Sequence, residues 1–138
     1  MFRNIKIATI IIIATATMIG CKSHMPTWNS FDETALQKSI DNGQPTLIQV
    51  TAEWCANGIY IEDTVLNSPE AMALYSDLDM QLLKADLTHE NSAIEKWLAN
   101  NGIPENLPVY IYYAPGQKES PLVLRNGLTK QKLESFRR

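Results

Sequence analysis

Residues 46–58 read TLIQVTAEWCANG. The first seven positions are rich in β-branched side chains and predict a buried strand, and a helix is predicted to begin near Ala56. Cys55 therefore lies where the strand ends and the helix begins. Unpaired backbone N–H groups and the positive end of the helix dipole stabilise a thiolate at such a position. Cys55 is a candidate nucleophile whose sulfur is expected to be exposed, and the alternative is a buried structural cysteine.

Helices and strands are predicted to alternate on both sides of this stretch. A capping box at Ser30 and Glu33 predicts a helix that Gly43 ends, and Ser68 and Pro69 begin another helix as N-cap and first residue. The other predicted elements are helices at about 56–66, from about 91 and from about 129, and strands at about 80–87, 109–113 and 122–124. Strands separated by helices and followed by a hairpin predict an α/β fold, with a mixed central sheet and helices on both faces.

The composition predicts one globular domain behind an export signal. The chain has 138 residues, of which 45% are hydrophobic, and this length is typical of a single domain. Residues 1–20 contain Arg3 and Lys6 and no acidic residue, and residues 7–19 are uncharged, which fits a signal-peptide core and is too short to span a bilayer. Without them the chain keeps 10 of its 12 basic residues and all 15 acidic ones, a net charge of −5. This charge gives no electrostatic footprint for nucleic acid or for anionic lipid.

The end of the apolar run, Met18-Ile19-Gly20-Cys21, resembles the bacterial lipobox, with Met where Leu is usual. The resemblance implies cleavage before Cys21 and acylation of that residue, and several acyl chains would anchor the protein stably. It divides the chain into a signal peptide (1–20), a tether (21–29) and a domain (30–138). We expect an exported protein at the periplasmic face of the cell envelope, and Lys22 in place of Asp favours the outer membrane. The alternative is an ordinary cleaved signal or a short membrane anchor, with Cys21 incidental.

Residues 43–138 resemble a thioredoxin fold, and in particular the C-terminal periplasmic domain of DsbD-type thiol:disulfide interchange proteins. Ala52-Glu53-Trp54-Cys55 matches the family's Ala-(Asp/Glu)-Trp-Cys, and Glu62 follows the cysteine by seven residues, as is frequent in that subfamily. Leu107-Pro108 before an apolar strand matches the family's cis-proline. Further similarity lies in the segments Gly43-Gln44-Pro45, Asn67-Ser68-Pro69-Glu70 and Lys84-Ala85-Asp86-Leu87-Thr88.

The resemblance implies a role for each of these site residues. Cys55 would be catalytic, with Trp54 packed beside it. The Leu107–Pro108 bond would be cis and close to the cysteine, a geometry that costs an X-Pro bond only about 0.5–1 kcal/mol. Leu107 and Pro108 would bind substrate, because the backbone ahead of the proline is free to pair with an extended peptide. No cofactor is implied, and one thiol with two scattered histidines makes no metal-ligand set.

The sequence departs from the family at two positions that matter for the chemistry. The second cysteine of the Cys-x-x-Cys motif is Gly58, so a mixed disulfide on Cys55 has no internal thiol to resolve it. The buried acid that usually lies six residues before the first cysteine is Gln49, which cannot titrate. Glu62 is either a retained site residue or an ordinary carboxylate on a helix face. Simple thioredoxin-type reduction is therefore not predicted.

Several functions remain compatible with this pattern. Cys55 could act as a monothiol that exchanges with thiols or disulfides of cell-envelope proteins, as in isomerisation or deglutathionylation. The domain could instead be a redox-inactive binding or assembly module that uses the groove at Pro108. A third interpretation is a homodimer or partner complex linked through Cys55. A cysteine hydrolase is disfavoured, because His24 lies in the tether and His89 in a polar loop.

Overall fold

The computed structural model of the protein describes residues 25–125 and 127–138. The predicted signal peptide and Cys21 lie outside the described residues. Within those ranges, no helix combines the length and the apolar character needed to cross a bilayer.

The predicted alternation of helix and strand is present, with one additional short strand. The strands are β1 (Asn29–Ser30), β2 (Thr46–Thr51), β3 (Gln81–Asp86), β4 (Val109–Tyr113) and β5 (Leu122–Leu124). The helices are α1 (Glu33–Asp41), α2 (Ala56–Ile61), α3 (Pro69–Asp77), α4 (Ser92–Asn100) and α5 (Lys130–Glu134). A π-helical turn, Glu62–Leu66, continues α2, and a 3-10 turn, Ser135–Arg137, follows α5.

The first helix begins differently from the prediction. Asp32, not Ser30, is its N-cap, and its carboxylate accepts a hydrogen bond from the Ala35 N–H at 2.7 Å. Ser30 belongs to β1, which pairs in parallel with β3. Because Ser30 is part of the edge strand, it is not available as the N-cap. The next residue that can cap the helix is Asp32. Asn29, placed by the sequence in the tether, is also part of β1.

The strands of the described ranges form one mixed sheet in the order β1-β3-β2-β4-β5. The central strand β2 is parallel to β3 and antiparallel to β4, and every residue of β2 is buried. Val50 lies opposite Val109. Pro108 is therefore level with Thr51, at the end of the sheet where β2 leads to Cys55.

An apolar core lies on each face of this sheet, because successive residues of β2 point to opposite sides. Leu47 packs in the core formed with α2, α3 and α5, and Ile48 packs in the core formed with α1 and α4. The first core also contains Ile61, Leu66, Leu74, Tyr110 and Leu133, and the second contains Leu36, Leu83, Trp97, Leu98 and Ile111. The prediction of an α/β fold with helices on both faces is confirmed.

Candidate functional site

Cys55 is the N-cap residue of α2, where the sequence placed it. Its backbone is extended, its N–H donates to the Ala52 carbonyl at 2.9 Å, and its carbonyl accepts from the Ile59 N–H at 3.1 Å. The preceding loop is fixed to the end of β3, since the Leu87 N–H donates to the Thr51 carbonyl and the Glu53 N–H donates to the Thr88 hydroxyl. The backbone of Cys55 is therefore fixed by the end of β2, by the hydrogen-bonded loop that follows it and by the first turn of α2.

The exposure of the site differs from the expectation. Cys55 is only 8% exposed, whereas a freely accessible sulfur was expected. Trp54, expected to pack beside the thiol, is 67% exposed, and Ile59 and Tyr60 are exposed as well. The exposed side chains of Trp54, Ile59 and Tyr60 are thus available to contact another molecule, whereas Cys55 itself is largely buried.

Gly58 faces the space between Cys55 and the end of β2. A Cβ built on Gly58 would lie 3.4 Å from the Cys55 sulfur and would overlap the hydroxyl oxygen of Thr51. Thr51 is 4% exposed, and its hydroxyl has no hydrogen-bond partner among the described residues. The hydroxyl of Thr51 therefore occupies the room that a side chain at position 58 would need.

Gln49 and Glu62, singled out from the sequence, are in direct contact. The buried amide of Gln49 donates to Glu62 Oε2 at 3.2 Å, and the ammonium of Lys84 lies 3.0 Å and 3.2 Å from the two carboxylate oxygens. These contacts of Glu62 link the π-helical turn that follows α2 to β2 and β3. The carboxylate of Glu62 therefore accepts hydrogen bonds from one ammonium group and one neutral amide.

Tyr110 contributes a second buried hydroxyl on the same face of the sheet. It lies directly opposite Gln49, is fully buried, and its hydroxyl has no hydrogen-bond partner in the described ranges. Burial raises the pKa of Tyr110 strongly, and the nearby Cys55 and Glu62 raise this pKa further. Tyr110 is therefore a neutral phenol, and its hydroxyl belongs to the polar interior beneath the cysteine.

The Leu107–Pro108 peptide bond is cis, as predicted. Leu107 lines a hollow together with Trp54, Leu87, Thr88, His89, Glu90, Glu95 and Glu105. This hollow joins the two elements predicted to face a substrate, the loop before the cysteine and the residue before the proline.

A second hollow is lined by the residues just before Trp54 and by their neighbours, namely Thr51, Ala52, Glu53, Ile59, Glu62, Asp63, Lys84 and Asp86. The two hollows together contain seven carboxylates and one lysine, and that lysine is paired with Glu62. Hydrogen bonds from the Thr88 side chain and backbone lower the pKa of Asp86, so this carboxyl stays ionised. The surface around Cys55 is consequently negative.

No known sequence family and no curated protein matches the chain, whereas many solved structures do. A thioredoxin from Thermus thermophilus is 14% identical, with 83% of this chain and 86% of that chain covered and a TM-score of 0.61. A DsbH oxidoreductase is 16% identical over 82% and 85% of the two chains, with a TM-score of 0.61. The DsbD C-terminal domain of Neisseria meningitidis in its oxidised form is 21% identical over 78% and 96%, with a TM-score of 0.56.

The chain has a thioredoxin-like fold. Within that fold, the structure brings Gly58 next to Cys55 and Thr51, and it brings Gln49 into contact with Glu62. Sequence reasoning missed the roles of Thr51, Lys84 and Tyr110 at this site. A signal for Thr51 did exist, because alternation along β2 places it on the same face as Gln49.

Proposed function

We propose that this protein carries out thiol–disulfide exchange through a single thiol, that of Cys55. The observation that carries the proposal is the placement of Cys55 at the junction of β2 and α2, with Gly58 where a resolving cysteine would be needed. Cys55 is the free cysteine of the described chain. A resolving thiol therefore has to come from another molecule.

The reaction consists of two exchanges. The Cys55 thiolate attacks one sulfur of a substrate disulfide, a new S–S bond forms, and the substrate's other sulfur leaves with the electron pair and takes a proton from solvent. An external thiolate then attacks the substrate sulfur of the mixed disulfide, and Cys55 leaves as a thiolate. Leu107, in the hollow beside Trp54, supports docking of an extended peptide ahead of Pro108.

We further propose that the protein is exported and acts on thiols or disulfides of cell-envelope proteins. The support comes from the sequence alone, namely the uncharged run after Arg3 and Lys6 and the lipobox-like segment that ends at Cys21. Acylation of Cys21 would anchor the domain to the membrane and leave Cys55 as the reactive thiol.

The reactivity of Cys55 in the folded protein tests the proposal directly. The full chain is treated with hydroxyethyl disulfide at pH 7, folded or in guanidinium, and mass spectrometry follows the adduct on the peptide that contains Cys55. We expect the thiol to react faster in the folded chain, and an added small thiol to release the adduct. Cys55→Ser is the control, and its peptide should carry no adduct. A folded chain that reacts more slowly than the denatured one would overturn the proposal, because that is how a buried structural cysteine behaves.

A redox-inactive binding module is the second candidate, and the 8% exposure of Cys55 favours it. In that case the exposed Trp54 and the hollow beside Leu107 would hold an extended segment of a partner by strand addition. The same experiment separates the two candidates, because a binding module needs no reactivity advantage at Cys55 in the folded state.

The negative surface around Cys55 predicts the charge of the substrates that react fastest. We expect cystamine, which is cationic, to react at least about tenfold faster than the anionic dithiodipropionate at low salt, with hydroxyethyl disulfide between them. Each rate is divided by the rate measured with the denatured chain, which removes intrinsic differences among the reagents. Salt at about 0.5 M should reduce the preference, since it screens charges beyond a few ångströms.

Neutralising single carboxylates locates the origin of this preference. Glu53→Gln and Glu105→Gln should each reduce the ratio of cationic to anionic rates, because both side chains line the hollows. Glu119→Gln is the matched control, since residue 119 lies in the β4–β5 connection at the opposite end of the sheet. Equal normalised rates for all three reagents would exclude electrostatic selection of substrates at this site.

A further inference from the structure

The hydroxyl of Thr51 is buried and has no hydrogen-bond partner among the described residues, which is rare for a buried polar group. Its oxygen is buried and makes no hydrogen bond with any described residue, the Cys55 sulfur included. A buried hydroxyl without a partner destabilises the folded protein. Such a group needs an explanation, and one explanation is that it is satisfied in another state of the protein.

The neighbours of this hydroxyl indicate which state that is. The position of a Cβ on Gly58 touches both the Thr51 oxygen and the Cys55 sulfur, the latter at 3.4 Å. Because Gly58 carries no side chain, no atom of residue 58 fills the point at which the two would meet. The unsatisfied hydroxyl and the sulfur that becomes negatively charged during disulfide exchange therefore both adjoin the space where a side chain of residue 58 would be.

We propose that Thr51 is a positioning residue of this site, whose hydroxyl fills the space of a side chain at position 58 and donates a hydrogen bond to the Cys55 sulfur when that sulfur is a thiolate. The inference rests on the proposed exchange at Cys55. It adds to that function a hydroxyl that occupies the space of the missing side chain at position 58. This hydroxyl stabilises the Cys55 thiolate when the mixed disulfide breaks.

The step in which the hydroxyl acts is the release of Cys55 from the mixed disulfide. An external thiolate forms a bond to the substrate sulfur, the bond between that sulfur and Cys55 breaks, and the electron pair stays on Cys55. The Thr51 hydroxyl donates to this sulfur and keeps its own proton. Hydrogen bonds to charged groups are stronger than hydrogen bonds between neutral groups, so the donor lowers the barrier for a leaving thiolate.

Two substitutions of Thr51 separate its hydroxyl from its shape. Thr51→Val keeps the branched shape and removes the donor, and we expect it to slow release of a preformed Cys55 mixed disulfide about tenfold. Thr51→Ser keeps the donor and should release within about threefold of the wild-type rate. At a pH where the thiol is fully ionised, attack by Cys55 should be as fast or faster in Thr51→Val, because an unbonded thiolate is the stronger nucleophile.

These outcomes decide the donor role in either direction. Release at the wild-type rate in Thr51→Val would overturn it, and equal acceleration of both steps would show that the substitution merely exposes the thiol. Thr51→Ala provides an independent variant without the hydroxyl and must slow release in the same way. If wild-type Cys55 forms no mixed disulfide at all, the proposed function fails first, which distinguishes the two failures.

The space-filling role is tested without any redox reaction. Gly58→Ala should lower the midpoint of thermal unfolding in the wild-type background, because the new methyl group overlaps the Thr51 oxygen. In a Thr51→Ala background the same substitution should be tolerated, so the two changes should couple strongly in a double-mutant cycle. Additive effects would show that Thr51 does not restrict position 58.

Discussion

The combined variant Thr51→Ala/Gly58→Cys is expected to reduce protein disulfides, and Gly58→Cys alone is expected to do so poorly. A Cβ at position 58 would lie 3.4 Å from the Cys55 sulfur. In a disulfide, the Cβ of one cysteine lies about 3 Å from the sulfur of the other, so the two positions are close enough to form one. The Thr51 hydroxyl overlaps that Cβ, so the single substitution forces the interior to rearrange at an expected cost of about 1–3 kcal/mol. Removing the hydroxyl opens the space, and the new thiol can resolve a mixed disulfide internally.

The measurement is the reduction of insulin by dithiothreitol, followed as turbidity. We expect the double variant to exceed each single variant by at least about tenfold. Thr51→Ala/Gly58→Ser is the matched control, because it fills the same space without a thiol, and it should stay at the background rate. If Gly58→Cys alone matched the double variant, the barrier at position 58 would not be Thr51. If neither were active, the site would differ from a dithiol enzyme in more than one residue.

Leu83→Ala is expected to destabilise the protein strongly, while Leu122→Ala has little effect. Leu83 lies in β3 between β1 and β2 and is completely buried in the core against α1 and α4. Truncating such a leucine removes buried apolar contacts and leaves a cavity, with a typical loss of about 3 kcal/mol. For a domain of this size the loss corresponds to a fall in melting temperature of about 10–20 °C.

The matched residue for this prediction is Leu122 in the edge strand β5, which is 38% exposed. The same leucine-to-alanine change there should lower the melting temperature by only a few degrees, about 1 kcal/mol or less. Thermal unfolding followed by circular dichroism compares the two variants. Equal losses would contradict the assignment of β3 to the interior and β5 to the edge.

Much of the fold follows from local patterns in the sequence. The β-branched run at 46–51 and the aromatic run at 109–113 predict strands because both are short, apolar and bounded by turn residues. The N-caps Ser68 and Asn91 are where the sequence places helix starts. The first helix was placed two residues too early, with Ser30 as its N-cap, because the chain's pairing with β3 is a long-range contact that no local pattern encodes.

The site was predictable only as far as motif residues reach. Cys55, Gly58, Gln49 and Pro108 could be named because each has a fixed spacing from the cysteine or precedes an identifiable strand. Whether Thr51 leaves room for a side chain at position 58 depends on how closely α2 packs on β2, to within a fraction of an ångström. A sequence pattern does not define that distance. Charge selection likewise depends on loops far apart in sequence, which bring Glu53 and Glu105 to the same surface.

Contacts between the chain and the sheet begin at residues 28 and 29, and this limits how far from a membrane an anchored domain could act. Trp28 packs edge-on against Tyr75 and Asn29 pairs with Leu83, so six residues of sequence, 22–27, would separate these contacts from an acylated Cys21. Even fully extended, six residues reach only about 20 Å. An acylated form would therefore stay close to the bilayer surface and find its targets by lateral diffusion among neighbouring membrane-bound proteins, out of reach of molecules dissolved far from the membrane.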